Sequence, residues 1–285
     1  KIKIRPTFQG RFRKRVDYKI IKERKFNNRF IYILLPKSIA KHIKHLEIEA
    51  KYKILRREFQ RKYVEGVNNF LTKIDKKKFR KYLTGEKYIP INKYYIELSN
   101  KITAGHSFDY EKLYSLYKYV ANHGKYYKLD ITKLKPSGLG YSKYCDEFGT
   151  GNCTDYHAYF MSLARPAGFP VRFVMGSYLN PKNDGKNVDA GYHCWVETYI
   201  PPYGWIPLDP SWGNYFSNKK EYYFLNLEEE RVVFTYGRNF FLPGVSYRVN
   251  YFAFATILIS KNSEKYSEFK NYTRKLRFRK SKYSK

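Results

Sequence analysis

Apolar residues along this chain change their spacing several times, and each change predicts an element. From Val16 to about Asp75 they come in short runs. Phe30-Ile31-Tyr32-Ile33-Leu34-Leu35 before Pro36 is rich in β-favouring side chains, and Leu46-Glu47-Ile48-Glu49 alternates. Gly66-Val67-Asn68-Asn69 predicts a turn into Phe70-Leu71. Residues 1–80 therefore predict a small β-rich domain, which the Gly85 to Pro90 segment connects to a helical stretch. Tyr95, Ile96, Leu98 and Ile102, and then Leu113, Leu116, Tyr117 and Val120, recur near a 3.6-residue period and predict two helices. His123-Gly124 supplies the second with a C′ glycine. Strand signals dominate again from Val171 to Asp209, and the longest apolar run, Tyr251 to Ile259, predicts a buried strand. Strands, then helices, then strands again define an α+β class, with an antiparallel sheet packed against helices.

Composition narrows this picture only a little. At 285 residues the chain can form one large domain or two modest ones. A hydrophobic share of 43% and an aromatic share of 19% exclude wholesale disorder. No run approaches the roughly 18 apolar residues that a membrane helix needs. Lys and Arg number 56 against 25 Asp and Glu, a formal net charge of +31. Such a field attracts nucleic acid, anionic lipid and acidic cell-surface polymers alike. Lys, Tyr, Phe and Ile are abundant throughout, so biased codon use accounts for the charge better than a partner does. Residues 261–285 hold seven Lys and three Arg against two Glu and predict a solvated basic tail. The chain opens at Lys1 without Met, which fits a cytoplasmic protein or one exported after losing an N-terminal signal.

Cys145, Cys153 and Cys194 make an odd count with no C-x-x-C spacing. A Cys145–Cys153 disulfide is one option under oxidation. A zinc site using Cys145, Cys153, His193 and Cys194 is disfavoured, because strand neighbours 193 and 194 point to opposite faces. No metal or cofactor is expected. Cys153 stands in Gly151-Asn152-Cys153-Thr154-Asp155, ahead of a helical run from His157 to Ala164 that Pro166 should end near Arg165. Asn152 suits the N-cap and Asp155 the first turn, so the thiol meets free backbone N–H groups that stabilise a thiolate. Alone, this fragment fits an ordinary buried cysteine better.

Two further fragments change that balance. His193-Cys194-Trp195-Val196-Glu197-Thr198-Tyr199-Ile200 predicts a strand with His193, Trp195, Glu197 and Tyr199 on one face. Pro201 to Gly204 forms a turn, and Trp205 to Asp209 runs back. This hairpin sets Asp209 opposite about residue 195, within diagonal reach of His193. Cys153, His193 and Asp209 thus qualify as nucleophile, base and orienting carboxylate. His157 follows Cys153 by one helical turn but lacks an obvious carboxylate, and Cys194 reads as a core thiol. His42 and His45 read as surface residues in a basic stretch. Trp195, Trp205 and Trp212 read as walls of the core or cleft, with Trp195 and Trp212 the candidates for a substrate cleft.

These motifs resemble the transglutaminase-like superfamily of papain-related thiol enzymes, in its prokaryotic form. The resemblance rests on Gly151-x-Cys153, Ala167 to Arg172 with Gly176, Gly191 to Trp195, and Gly204 to Pro210. It extends through Tyr222 to Leu227, Arg231-Val232 and Tyr236 to Arg238, and upstream to Tyr82 to Gly85 with Ile89-Pro90. Cys194 departs from the small residue usual after the histidine. The resemblance implies a catalytic domain over residues 85–260, between a basic β-rich domain (1–80) and a basic tail (261–285). It implies attack on an amide carbonyl of a protein or peptide, a thioester, and then hydrolysis or transfer to an amine. It also implies an upstream second oxyanion donor, for which Tyr126 is in position and Tyr127 and Tyr144 are rivals. The other reading is a catalytically silent basic scaffold that binds an anionic partner such as nucleic acid or an acidic cell-surface polymer.

Overall fold

A computed structural model describes residues 1–64, 66–188, 191–242, 248–252, 258–261, 265–268 and 273–280. Two compact units emerge: residues 1–55 with 240–248, and residues 56–239 with 249–285.

In the first unit, β1 (Ile2–Phe8) pairs antiparallel with β4 (Ile43–Ala50), Ile2 opposite Ala50. β1 alternates between half-buried and exposed positions, as a strand with one covered face should. β2 (Lys19–Lys22) and β3 (Arg29–Tyr32) form a hairpin whose turn closes on a buried carboxylate. Glu23 accepts from the backbone N–H groups of Lys25 and Phe26 at 2.7 Å and of Asn28 at 3.1 Å. One helical turn, α1 (Lys37–Ala40), precedes β4.

The boundary falls at residue 55, short of the expected 80. Val64 and Phe70 belong to the same buried cluster as the helices of the second unit, and Phe79 packs on Tyr199 with ring centroids 4.4 Å apart. Turn-rich sequence here serves as a skirt on the second core, which the short apolar runs alone did not distinguish. It ends in a single turn, α2 (Arg80–Leu83).

The second unit is built on α3 (Lys93–Thr103), α4 (Asp109–Asn122), α5 (Ser142–Phe148) and α6 (Cys153–Ala164). Asn92 caps α3 through the Tyr95 N–H, and both expected upstream helices are present. All twelve residues of α6 are buried. A helix with no polar stripe must be central, and this one is. β7 (Val171–Tyr178), β8 (Tyr192–Ile200), β9 (Gly204–Leu208) and β10 (Arg231–Tyr236) form an antiparallel sheet in the order β10-β7-β8-β9.

Phe173, Met175, Cys194 and Val196 share one buried cluster with α6; Val174, Trp195 and Leu227 form another. Burying a Phe or Leu side chain contributes about 1.5–3 kcal/mol, so Phe160 and Leu163 anchor α6 firmly. Gly176 lets β10 close on β7: a Cβ there would stand 2.1 Å from the Val232 carbonyl oxygen and 2.9 Å from Trp195. β5 (Lys125–Tyr126) and β6 (Thr150–Gly151) pair in parallel just before α6, and α7 (Pro210–Tyr215) follows β9.

The described part of the C-terminal segment is not a free tail. Gly185 N–H donates to the Phe278 carbonyl at 3.0 Å and Val188 N–H to that of Leu276 at 2.7 Å. Lys280 reaches Glu229 at 2.7 Å. Backbone pairing holds this stretch where charge alone suggested solvation. Leu258–Lys261 pairs antiparallel with Lys265–Glu268; the strand expected over Tyr251 to Ile259 lies largely outside the described residues.

Candidate active site

Cys153 is the first residue of α6, and the cap places it there. Asn152 Oδ1 accepts from Thr154 N–H at 2.9 Å and Asp155 N–H at 3.4 Å, while Asp155 accepts from Asn152 N–H at 3.1 Å. This reciprocal arrangement satisfies the helix's first free donors. At Gly151 a Cβ would stand 2.6 Å from that of Asp155, so only glycine permits the approach. Asp155 also accepts from Ser137 Oγ and from Tyr141 N–H (2.9 Å), which ties the Ser137 to Tyr141 loop to the helix start. Burial raises the Asp155 pKa, against the pull of those donors.

The hairpin has the expected register. Val196 pairs with Leu208, which sets Asp209 opposite Trp195 and beside His193. His193 Nε2 lies 2.7 Å from Asp209 Oδ2. A carboxylate only accepts, so Nε2 carries hydrogen and Nδ1 is left for Cys153, which His193 hydrogen-bonds. Burial opposes charge on Cys153, but hydrogen bonds to Cys194 and His193 and the nearby imidazole charge outweigh it. The thiol is held well below its ordinary pKa. Burial likewise lowers His193, yet the Asp209 carboxylate overrides it and the net shift is upward. Both shifts run in the direction that favours charge separation between the thiol and the imidazole.

Asp209 is fully buried and gathers five donors. Oδ2 takes His193 and Arg231 Nη1 (3.0 Å); Oδ1 takes His157 Nε2 (3.2 Å), Ser211 Oγ (2.7 Å) and Trp212 N–H (2.9 Å). Burial disfavours its charge, but the His193 and Arg231 charges and the two imidazole hydrogen bonds hold the carboxyl well below the usual range.

His157 therefore does have a carboxylate, the one His193 uses. The expectation that it lacked one is corrected: one Asp serves two imidazoles, and no local spacing reveals sharing. Cys194 is a buried thiol, as alternation implied, and it also meets the site. Its Sγ lies 3.3 Å from His157 Nδ1 and in hydrogen-bonding reach of Cys153. The three cysteines are unbonded, and no cluster suited to a metal occurs among the described residues.

The two cleft tryptophans separate. Trp212 is half-buried with its ring centroid 4.5 Å from that of His193, and the Arg231 guanidinium stacks on it at 3.8 Å. Trp195 is fully buried with Val174 and Leu227, so it is a core residue and not a cleft wall. It shares the His193 side of β8, but it sits further along the strand, where β7 and β10 cover it.

Tyr126 is buried beside the thiol: burial and then the Cys153 charge push its pKa up, which keeps the hydroxyl a donor. Asn214 fixes it by accepting from Tyr126 N–H at 2.7 Å. Of the rivals, Tyr127 packs on Tyr126 at 5.1 Å, and Tyr144 gives its hydroxyl to the Lys135 carbonyl. Sequence reasoning passed over Tyr192, whose hydroxyl accepts from Asn152 Nδ2 at 3.4 Å and whose pKa rises through burial and then the Cys153 charge. Its place directly before His193 was the available signal. Arg231 was read only as part of a family-like run and Ser211 not at all; a long return from residue 231 has no local signature.

The site is thus a thiol at a capped helix start beside a carboxylate-held imidazole, on an α+β core. Residues 96–210 match the family model of the transglutaminase-like superfamily. The match is narrower than the expected 85–260. An uncharacterized protein of Haemophilus influenzae is 36% identical over 21% of this chain and 20% of its own length. YebA of Bacillus subtilis, also uncharacterized, is 24% identical over 44% of this chain and 18% of its own. The match thus spans a fifth or less of each of these relatives. A candidate cysteine protease from Cytophaga hutchinsonii is similar with a TM-score of 0.45 and 16% identity, covering 63% of this chain and 53% of that one. The periplasmic domain of TgpA from Pseudomonas aeruginosa gives 0.36 and 22%, covering 52% and 51%. Among the described residues no helix is long and apolar enough to cross a membrane.

Proposed function

We propose that this chain is a transglutaminase-like thiol enzyme acting on amide carbonyls of a protein or peptide. The observation that carries the reading is the Cys153 thiol at the N-terminus of α6, paired with His193 whose Nε2 is held by Asp209 at 2.7 Å. Cys153 thiolate attacks the carbonyl carbon, and the carbonyl π electrons move to oxygen. The Cys153 backbone N–H and the Tyr126 hydroxyl face that oxyanion. As the C–N bond breaks, His193 gives its Nδ1 proton to the departing amine and a thioester remains. His193 then takes a proton from water, giving hydrolysis, or from a primary amine, giving transfer. Trp212 packs at a tilt against the imidazole and forms one wall of the site.

The test is mass spectrometry after incubating the protein with glutamine-containing peptides and a primary amine. Exchange of the glutamine side-chain ammonia for water, or for the amine, is expected, and both vanish in Cys153→Ala. Unchanged peptides across a broad peptide set would sink the proposal.

A further inference from the structure

Asp209 collects its donors from two kinds of place. Ser211 and Trp212 lie in its own turn, so they orient the carboxylate only relative to α7. His157 comes from α6, four residues after Cys153 and on the same side of that helix. It is the tie between the nucleophile's helix and the carboxylate that holds the base. With Nε2–H facing Asp209 Oδ1 at 3.2 Å, the Nδ1 of a neutral ring needs a donor. Cys194, adjacent to His193 on β8, has its sulfur 3.3 Å from that Nδ1.

We propose that His157 and Cys194 form a second, buried positioning arm, running Cys194 S–H to His157 Nδ1 and His157 Nε2–H to Asp209 Oδ1. Cys194 also lies against Cys153, which its single S–H serves only in alternation with His157 Nδ1, and the arm closes a ring of five side chains: Cys153, His193, Asp209, His157 and Cys194. The ring fixes α6, β8 and the start of α7 at the spacing the thiolate–imidazolium pair requires. Burial holds Cys194 well above the ordinary thiol range, which keeps its S–H available as the donor. The inference rests on reading Cys153, His193 and Asp209 as the reacting unit.

Titratable groups around the thiol are His193, Cys194 and His157, with Tyr126, Tyr192 and Tyr251 on the remaining sides. Asp209 and Arg238 face Cys194. The tyrosines are shifted upward, so below about pH 9 a profile of Cys153 reports the imidazoles and thiols.

The experiment is site-resolved iodoacetamide labelling of Cys153 against pH in the full chain, with thermal melting alongside. His157→Leu removes both hydrogen bonds; labelling at neutral pH should slow about tenfold and its midpoint rise about one pH unit. His157→Gln keeps an N–H for Asp209 and a carbonyl for Cys194, and should return to within about threefold of the parent. Cys194→Ser retains a donor and should behave like His157→Gln, whereas Cys194→Ala should follow His157→Leu. The proposal is overturned if His157→Leu labels like the parent. It is equally overturned if Gln is as slow as Leu at an unchanged melting temperature, since the ring would then matter only as packing. A parent Cys153 that labels no faster than Cys145 would instead refute the proposed function.

Discussion

Two buried carboxylates, Glu23 and Asp209, are 1% and 0% exposed, yet they do different work. Glu23 gathers neutral N–H donors from residues no more than five positions away and closes the β2–β3 turn. Asp209 gathers donors 16, 22 and 52 positions away, among them an arginine and two imidazoles. Local neutral donors satisfy a carboxylate and end there. Distant titratable donors couple elements and lower the carboxylate's pKa, so its charge becomes part of a shared electrostatic unit. Burial by itself does not mark a site; the origin of the partners does.

The sharpest way to break this comparison is Asp209→Ala. It leaves Arg231 buried without its main carboxylate, which should cost about 3–5 kcal/mol of stability by denaturant unfolding. Amide turnover should fall about 10³–10⁴-fold because His193 loses its orienting partner. Near-native activity would show that the hub is structural only. Glu23→Ala should cost about 1–3 kcal/mol, confined to its own turn. Hydrogen exchange at the Phe26 and Asn28 amides should accelerate while Cys153 labelling stays unchanged; slower labelling would erase the contrast.

Asn152→Ala removes the cap and should cost about 1 kcal/mol, with Cys153 labelling several-fold slower. The pH dependence sharpens the same point. Asp209 is lowered, so its stabilisation is complete above about pH 4 and is lost as pH falls through its folded value. His193 is raised, so its contribution is complete below about pH 6.5 and is lost as pH rises through its folded value. Cys153 labelling should persist well below the ordinary thiol midpoint of about 8.5, and a profile centred there would contradict the ion pair. Smallest is Arg5→Ala: its bonds to Glu47 and Glu49 are exposed, and no measurable change in melting is expected.

Much of this was legible in the chain because it is local. The Asn152 cap, the start of α6 and the hairpin register follow from side-chain preferences within a few residues, and they bring Cys153, His193 and Asp209 together. What escaped is what needs tertiary return. His157 looked unpartnered because its carboxylate was already assigned to another imidazole. Cys194 reads from the sequence only as a core thiol, because strand alternation tells which face a side chain takes, not which element comes to meet it. Trp195 looked like a cleft wall because it shares a face with His193, while β10 and Gly176 close that face two residues further along. The boundary near residue 80 failed for the same reason, since Val64 and Phe70 are claimed by a core formed from later sequence.

The segment that matches the family ends at residue 210, immediately after Asp209, whereas the arginine that neutralises Asp209 stands at 231. The unit that can be excised is therefore longer than the unit that can be recognised. A fragment cut at residue 210 would keep the Cys153 thiol, the His193 imidazole and the Asp209 carboxylate, and would strand a buried negative charge among them. Any domain swap, fusion or truncation of this protein has to carry β10 along with the motif.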